Sequence, residues 1–416
     1  MSLFFVRKNK LDISPSVCVG LRLCTCKART IHDNYIGGDK VELFTPVDVL
    51  GTAKKKGAPK AKKDISELPK RGGDSEVANR FIEMLDKWHG HKEVWDDELD
   101  AQIHYWEYEI RTTNKKRLPW GKKGTKYFTP SSTNSDSREL YMKHSGAARD
   151  QHTGRPHQGR WTRMGTAFGD MVQRDLLFIE KHWKREFGED PPFVPYYVEV
   201  NGKRYPAWEK FSQTIEHVEH NGQIVSILGQ CDGILVDTKT GELVLLEVKS
   251  KQTTSAQTGF YSMKEVGEDH KMQSITYSML FKNMHISRGI VLYGNLSKKA
   301  WIMSEEDYVA NPDIRAFEIK FDRETQTQIL DKFKHVLDCV ENNKPPKFDI
   351  TKFTFNSYKE ATVSSLTAEE YVEIGEQVKR ISRSRMPQWK KNSVLEAWRY
   401  IEGNWKGDDA QCDADF

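Results

Sequence analysis

The stretch 229–249 near the middle of the chain contains two apolar segments joined by a turn at 237–241. Side chains in a strand alternate between two faces, so this pattern predicts a β-hairpin. The first strand carries Asp232 and the second carries Glu247 and Lys249, which point to one face while Val248 points into the core. Burying charge is costly unless it is compensated, and a divalent cation is the simplest compensation.

Helical and strand periodicities surround this hairpin and predict a mixed α/β fold. Apolar positions at helical spacing predict helices over 76–88, 160–183, 269–282 and 325–342, and an aromatic-rich segment lies at 96–110. Strand-like runs lie at 194–200, 208–218 and 288–295. Thr367 and Glu370 have the spacing of a capping box, which predicts a helix near the end of the chain.

The composition restricts the size, the location and the disulfide content that we expect for this protein. The chain has 416 residues, of which 37% are hydrophobic and 30% charged, enough for two or three domains with ordinary cores. No apolar run approaches the length of about 18 residues that a membrane span needs, so we expect a soluble cytoplasmic protein without a membrane partner. The net charge of +4 identifies no partner, and six cysteines in so long a chain do not indicate a disulfide framework.

The chain divides into four predicted parts. Residues 1–50 read as a small, partly β N-terminal element, and 51–73 as a flexible basic linker rich in Lys, Gly, Ala and Pro. That linker is either a contact for phosphate groups or a solvated tether. Residues 74–350 form the main module, whose part 74–160 is helical, and 351–416 form a helical C-terminal extension. Aromatic and basic residues interleave over 103–127, which suits a nucleic-acid groove as well as an ordinary amphipathic surface.

The hairpin has the residue types of a metal-dependent phosphodiesterase. Mg²⁺ or Mn²⁺ would be held by Asp232, Glu247 and the carbonyl of Val248. Lys249 would position the attacking water or neutralise the transition state. The alternative is a surface hairpin in which Glu247 and Lys249 form an ordinary ion pair worth under about 1 kcal/mol.

Gln273 and Tyr277 lie four residues apart on the following helix, so they share one face. With Asp232, Glu247 and Lys249 they form a set that resembles the PD-(D/E)XK nucleases, within them the RecB-like exonucleases of the CRISPR-associated and phage-borne type. Segments 128–132, 138–141, 165–168 and 342–346 support the resemblance more weakly. It implies a restriction-endonuclease-like mixed central sheet flanked by helices, with N- and C-terminal extensions, and a catalytic role for all five residues.

Two departures from that family's pattern stand out. Where relatives carry a metal-ligating His on the first helix, this chain has Gly169, followed by Asp170 as a candidate ligand. Glu180 or His182 could serve instead, or the third ligand is absent. Relatives also bind an iron–sulfur cluster through four cysteines. Here the first of these positions falls near Asp136, and only Cys339 and Cys412 lie downstream, so we expect no cluster.

The resemblance implies a Mg²⁺- or Mn²⁺-dependent deoxyribonuclease, most simply an exonuclease acting on DNA ends in viral or mobile-element replication, recombination or host DNA degradation. The alternatives are a catalytically inactive DNA-binding or adaptor protein, a structure-specific endonuclease, and a protein-binding inhibitor or virion component. DNA is the expected partner, with a recombinase or a single-strand-binding protein as further candidates, and a viral protein would act in the host cytoplasm. Further candidates near the hairpin are the acidic Glu199 and Glu209 and the phosphate-contacting Lys251 and Lys264, while Cys231 is expected in the core.

Overall fold

The fold is described by a computed structural model, which covers residues 70–114, 121–151, 154–297 and 301–407. All of them belong to one compact unit spanning residues 63–416. The predicted N-terminal element at 1–50, residues 51–69 of the predicted linker, and Cys412 lie outside the described residues. The predicted boundaries at 74, 160 and 350 therefore stay predictions about organisation.

Ten α-helices and ten strands make up this described part of the chain. The helices are α1 (Glu76–His89), α2 (Asp97–Glu109), α3 (Ser137–His144), α4 (Pro156–Phe187), α5 (Glu268–Leu280), α6 (Glu305–Ala310), α7 (Arg323–Glu341), α8 (Lys359–Ser364), α9 (Ala368–Arg383) and α10 (Gln388–Asn404). The strands are β1 (Tyr127–Phe128), β2 (Phe193–Pro195), β3 (Tyr197–Val200), β4 (Lys203–Pro206), β5 (Thr214–His220), β6 (Gln223–Gly229), β7 (Gly233–Asp237), β8 (Leu243–Lys251), β9 (Arg288–Asn295) and β10 (Ile314–Lys320).

The central sheet has five strands in the order β10-β9-β8-β7-β2. Strands β8 and β9 run parallel, because helix α5 lies between them in sequence and returns the chain, whereas the other neighbours are antiparallel. The predicted hairpin is therefore confirmed as β7 and β8, and it lies in the middle of the sheet. A three-stranded sheet, β1-β6-β5, and the β3-β4 hairpin accompany it.

Helices cover both faces of the central sheet. One face packs against α1 and α4 through a core that includes Phe81, Leu176 and Leu246. The other packs against α5 and α7 through a core that includes Ile275 and Phe333. The prediction of a mixed α/β fold with a mixed sheet flanked by helices is confirmed. Strands β8 and β9 are covered on both faces, which explains their nearly continuous apolar runs.

The C-terminal helices have a core of their own. Helices α9 and α10 bury Ile374, Val378, Val394 and Ile401 against the segment that precedes α8. Thr367 and Glu370 form the predicted capping box at the start of α9, where each satisfies a backbone N–H that the first helical turn leaves free.

Arg138 joins this C-terminal group to the rest of the fold. Its side chain on α3 is 1% exposed, and its Nε donates to the carbonyl oxygen of Pro346 at 2.6 Å. One terminal nitrogen donates to the carbonyl and hydroxyl of Ser365 at 3.1 and 2.9 Å, and the other pairs with Glu370. A buried guanidinium thus connects three separate segments.

Two predictions about the elements need correction, and one strand was missed. Asp232 lies in a bend directly before β7, not within the strand, because pairing with β8 begins at Gly233. The segment 208–218 becomes a strand only from Thr214, since its first part turns around the buried Trp208. Strand β10 was not predicted from the sequence. Among the described residues, no helix is both long and apolar enough to span a membrane.

Candidate active site

Asp232 stands at the end of the hairpin where the pairing of β7 with β8 stops. Its carboxylate Oδ2 accepts a hydrogen bond from the backbone N–H of Val248 at 2.7 Å, so the side chain continues the ladder that Gly233 and Leu246 close. The N–H and C=O of one residue in a strand point the same way, so the Val248 carbonyl also faces this side. Asp232 is half-buried, and desolvation at this position raises the pKa of its carboxyl.

Glu247 lies on β8 and is 1% exposed. Its Oε1 forms an ion pair with Nζ of Lys249, whereas the buried Oε2 has no hydrogen-bond partner. Burial, and then repulsion from Asp232, raise the pKa of Glu247 to about 8. The carboxylates of Asp232 and the buried Glu247 thus lie close enough to repel each other, and Oε2 of Glu247 has no partner.

Lys249 connects the two carboxylates to helix α5. Its Nζ donates to Oε1 of Gln273 at 3.2 Å, and Nε2 of Gln273 donates to the hydroxyl of Tyr277 at 3.4 Å. The spacing of four residues on α5 places Gln273 and Tyr277 on one face, as predicted. The structure therefore brings together Asp232, Glu247, Lys249, Gln273 and Tyr277, as the sequence suggested; their catalytic roles stay a prediction.

Two residues beside the hairpin complete its polar surroundings. Gln173 on α4 is 3% exposed, and its Nε2 donates to Oε2 of Glu209 at 2.6 Å and to the backbone carbonyl of Asp232 at 2.8 Å. Burial, and then repulsion from Asp232, raise the pKa of Glu209 to about 7. Sequence reasoning missed Gln173, because one glutamine on an amphipathic helix carries no local signal of a buried role.

A second group lies at the far end of β8. His270 on α5 and the hydroxyl of Tyr293 on β9 are 2.7 Å apart, and Lys251 lies over the Tyr293 ring. Burial, and then repulsion from Lys249, lower the pKa of His270 to about 4, so its imidazole is neutral at pH 7. Lys264 is exposed in the segment before α5. Whether Lys251 and Lys264 contact phosphate stays a prediction.

The candidates for a ligand on α4 each have another partner. Asp170 lies 2.8 Å from Nζ of Lys210, which also donates to Glu107. Glu180 accepts a hydrogen bond from the hydroxyl of Tyr197 at 2.5 Å. His182 is buried 2.7 Å from Asp96. A metal at Asp170 would first have to displace Lys210, so the structure gives this prediction no support.

Cys231, Cys339 and Asp136, which were considered as core or cluster positions, differ in burial and contacts. Cys231 is fully buried in the core, as predicted, and burial raises the pKa of its thiol. Asp136 is 3% exposed, and burial followed by repulsion from Asp349 raises its pKa to about 7. Cys339 lies on α7, partly buried and 3.7 Å from a ring nitrogen of His335.

Asp232, Glu247 and the Val248 carbonyl fit a divalent metal by the chemistry of their donors. Mg²⁺ and Mn²⁺ prefer oxygen, and Mg²⁺ in proteins commonly uses one or two carboxylates while retaining several waters. The unpartnered Oε2 of Glu247 is a donor that a cation would satisfy. Within the parts of the chain that the structure describes, no three His, Cys, Asp or Glu side chains already form a complete metal-binding group.

The raised pKa of Glu247 predicts how the metal-free protein responds to pH. The unfolded carboxyl loses its proton near its ordinary pKa of 4.5, whereas the folded one keeps it until about 8. Between these values the folded state binds more protons, so the free energy of unfolding falls as pH rises. In the variant Glu247→Gln, the fall in the free energy of unfolding over this pH range should be smaller than in the wild type by more than about 1 kcal/mol. The reason is that a shift of one pKa unit corresponds to about 1.4 kcal/mol.

Urea denaturation in EDTA at several values between about pH 5 and pH 8 measures this effect. The raised pKa of Glu209 acts in the same direction, so the variant should retain a shallower slope rather than none. Parallel pH curves for the wild type and Glu247→Gln would contradict the prediction.

Comparison with known proteins gives only distant structural matches. Neither a family model nor a curated protein matches this sequence. The structure of SSO0001 matches with 12% identity over 62% of this chain and 94% of that one, at a TM-score of 0.30. The structure of an alkaline exonuclease from Laribacter hongkongensis matches with 13% identity over 58% of this chain and 93% of that one, at a TM-score of 0.31. The structure of a phage-related exonuclease from Haemophilus somnus matches with 11% identity over 52% of this chain and 94% of that one, at a TM-score of 0.21. Such low TM-scores leave the functional assignment to the geometry of the site.

Proposed function

We propose that this protein is a Mg²⁺- or Mn²⁺-dependent deoxyribonuclease that hydrolyses phosphodiester bonds, with exonuclease action on DNA ends as the primary form. The observation that carries the proposal is the buried Glu247, whose charge repels that of the nearby Asp232, whose Oε1 pairs with the ammonium of Lys249 and whose Oε2 has no partner. An ordinary surface ion pair does not explain this arrangement, because Glu247 is buried and costly to ionise.

Each residue has a distinct task in the proposed reaction. A bound ion would polarise the phosphate and lower the pKa of a coordinated water. Asp232, Glu247 and the Val248 carbonyl would hold that ion, and Lys249 would orient the attacking water or stabilise negative charge on the phosphate. Gln273 holds Lys249 in place by accepting from its Nζ, and Tyr277 in turn accepts from Gln273. Gln273 and Tyr277 would also orient the scissile strand.

The first half of α4 offers a surface for the DNA backbone. Residues 156–164 are exposed, contain Arg160 and Arg163, and include no acidic residue. This half contacts the end of β8, because Nε2 of Gln252 donates to the carbonyl of Trp161 at 2.9 Å. Cationic side chains and an exposed Trp161 next to the site suit phosphates and bases.

The resemblance supplies the finer parts of the proposal. It supports a role in viral or mobile-element replication, recombination or host DNA degradation, in the cytoplasm of the cell concerned. A recombinase or a single-strand-binding protein would be the protein partner. The main module would comprise residues 74–350, with 351–416 as a helical extension.

Incubation with linear and covalently closed circular DNA of the same sequence tests the proposed activity. With Mg²⁺ or Mn²⁺ we expect release of nucleotides from the linear DNA, little change in the circle, and no product in EDTA. Cutting of the circle at a similar rate would favour the endonuclease alternative. Cleavage that persists in EDTA after prior removal of metal would contradict the metal dependence.

A nuclease fold that binds DNA without cutting it is the second candidate. It is favoured by the absence, within the described residues, of three ligating side chains already gathered as a metal-binding group. This alternative predicts that DNA binding is equal with and without EDTA and that no product forms with either metal. A gel-shift assay run beside the cleavage assay separates the two candidates.

A further inference from the structure

One face of helix α4 runs along the candidate active site. Gly165, Gly169 and Gln173 are four residues apart and therefore share that face. A Cβ at Gly165 would lie 3.0 Å from Oγ of Ser250 on β8, so the helix closely approaches the strand there. Two turns later, Nε2 of Gln173 donates to the carbonyl of Asp232. Helix α4 thus contacts β8 near Gly165 and the residue before β7 at Gln173, and Gly169 lies midway between these two contacts.

Gly169 leaves open space on this face. A Cβ built there would meet no atom within 4 Å, in contrast to Gly165. The helix therefore contributes no side-chain ligand at the position between its two contacts with the site. A third charged oxygen ligand would have to come from another segment.

Glu209 is a carboxylate from such a segment. It precedes β5 and follows β4, and its Oε2 accepts a hydrogen bond of 2.6 Å from the same Gln173 nitrogen that donates to Asp232. The amide group of Gln173 therefore forms hydrogen bonds with both the segment of Glu209 and that of Asp232. The side chain is partly buried, and the Glu209 carboxylate repels those of both Asp232 and Glu247. Glu209 is thus joined through Gln173 to the residue that carries one candidate ligand, and its charge acts on the other, Glu247, whose Oε2 has no partner.

We propose that Glu209 is the third carboxylate of the metal centre and binds the ion through a water of its coordination shell, with Gln173 as the residue that positions it. This inference rests on the proposed function. Binding through water fits the structure, because the described residues contain no complete set of three direct ligands. It also fits Mg²⁺, which usually retains several waters in protein sites.

Glu199 offers the matched comparison. It is a glutamate of the same region of the chain, on β3, but its side chain is exposed at the β3-β4 hairpin. The substitutions Glu209→Gln and Glu199→Gln therefore change the same charge by the same chemistry in two different environments. Only the first alters the proposed centre.

Isothermal titration of the full-length protein with Mn²⁺ tests the inference. Residues that act behind the direct ligands typically change metal affinity by about 10- to 100-fold. We expect a loss of that size for Glu209→Gln and wild-type affinity for Glu199→Gln. Thermal unfolding in EDTA should show Glu209→Gln at least as stable as the wild type, because the amide cannot repel Asp232.

The outcomes separate this inference from the proposed function. If the wild type binds no Mn²⁺ or hydrolyses no DNA, the proposed nuclease function fails. If the wild type binds Mn²⁺ and cleaves DNA while Glu209→Gln binds Mn²⁺ with unchanged affinity, the role of Glu209 alone is overturned. An equal loss of affinity in both variants would also overturn it, since net charge would then explain the effect.

Discussion

Glu247→Gln should abolish DNA hydrolysis, with a loss of about 10³-fold or more. The carboxylate of Glu247 is a predicted direct metal ligand, and a bound ion is worth several kcal/mol of transition-state stabilisation, where each 1.4 kcal/mol or so is tenfold in rate. The amide keeps the shape of the side chain but not its charge. Initial rates on linear DNA with saturating Mg²⁺ measure the change.

Two further variants make the result specific to the site. Glu242→Gln removes a charge just before β8, where the side chain is exposed and pairs with Arg288, and should leave the rate unchanged. Lys249→Met should slow hydrolysis but retain Mn²⁺ binding, because Lys249 acts on water and phosphate rather than on the ion. A Glu247→Gln variant that cleaves DNA at the wild-type rate would rule out this active site.

Arg138→Met should lower the free energy of unfolding by about 3 kcal/mol or more. Removing the buried member of a charge network is strongly destabilising, since the groups left behind lose hydrogen bonds that are largely shielded from water. Here the carbonyls of Pro346 and Ser365 and the carboxylate of Glu370 lose their donor. The C-terminal helices would lose a principal connection to α3.

Lys347→Met is the matched control for this stability effect. Lys347 also pairs with a glutamate of α9, Glu373, at 2.7 Å, but both side chains are largely exposed. Such surface pairs contribute under about 1 kcal/mol. Urea denaturation of both variants gives the comparison, and equal free energies of unfolding would show that Arg138 is no more than a surface contact.

Local patterns accounted for much of the fold. Strand β9 and the hairpin β7-β8 followed from apolar runs, and α5 and α7 from helical spacing, because each signal depends on residues close in sequence. The capping box at Thr367 and Glu370 is local for the same reason. Strand β10 was not predicted because Arg315 and Glu318 interrupt its apolar pattern. In the structure Arg315 is buried by partners that are distant in the chain.

The amino-acid pattern is sufficient to identify the residue types of the site and their spacing along the hairpin and the helix that follows it. It predicted that Gln273 and Tyr277 share a face, because helical geometry fixes that relation. Which acidic side chains meet depends on tertiary packing and could not be predicted. Gln173 joins Glu209 to Asp232 across separate segments, and Lys210 holds Asp170 in a different pair. Such contacts depend on how α4 packs against the sheet, and no spacing within one element encodes that packing.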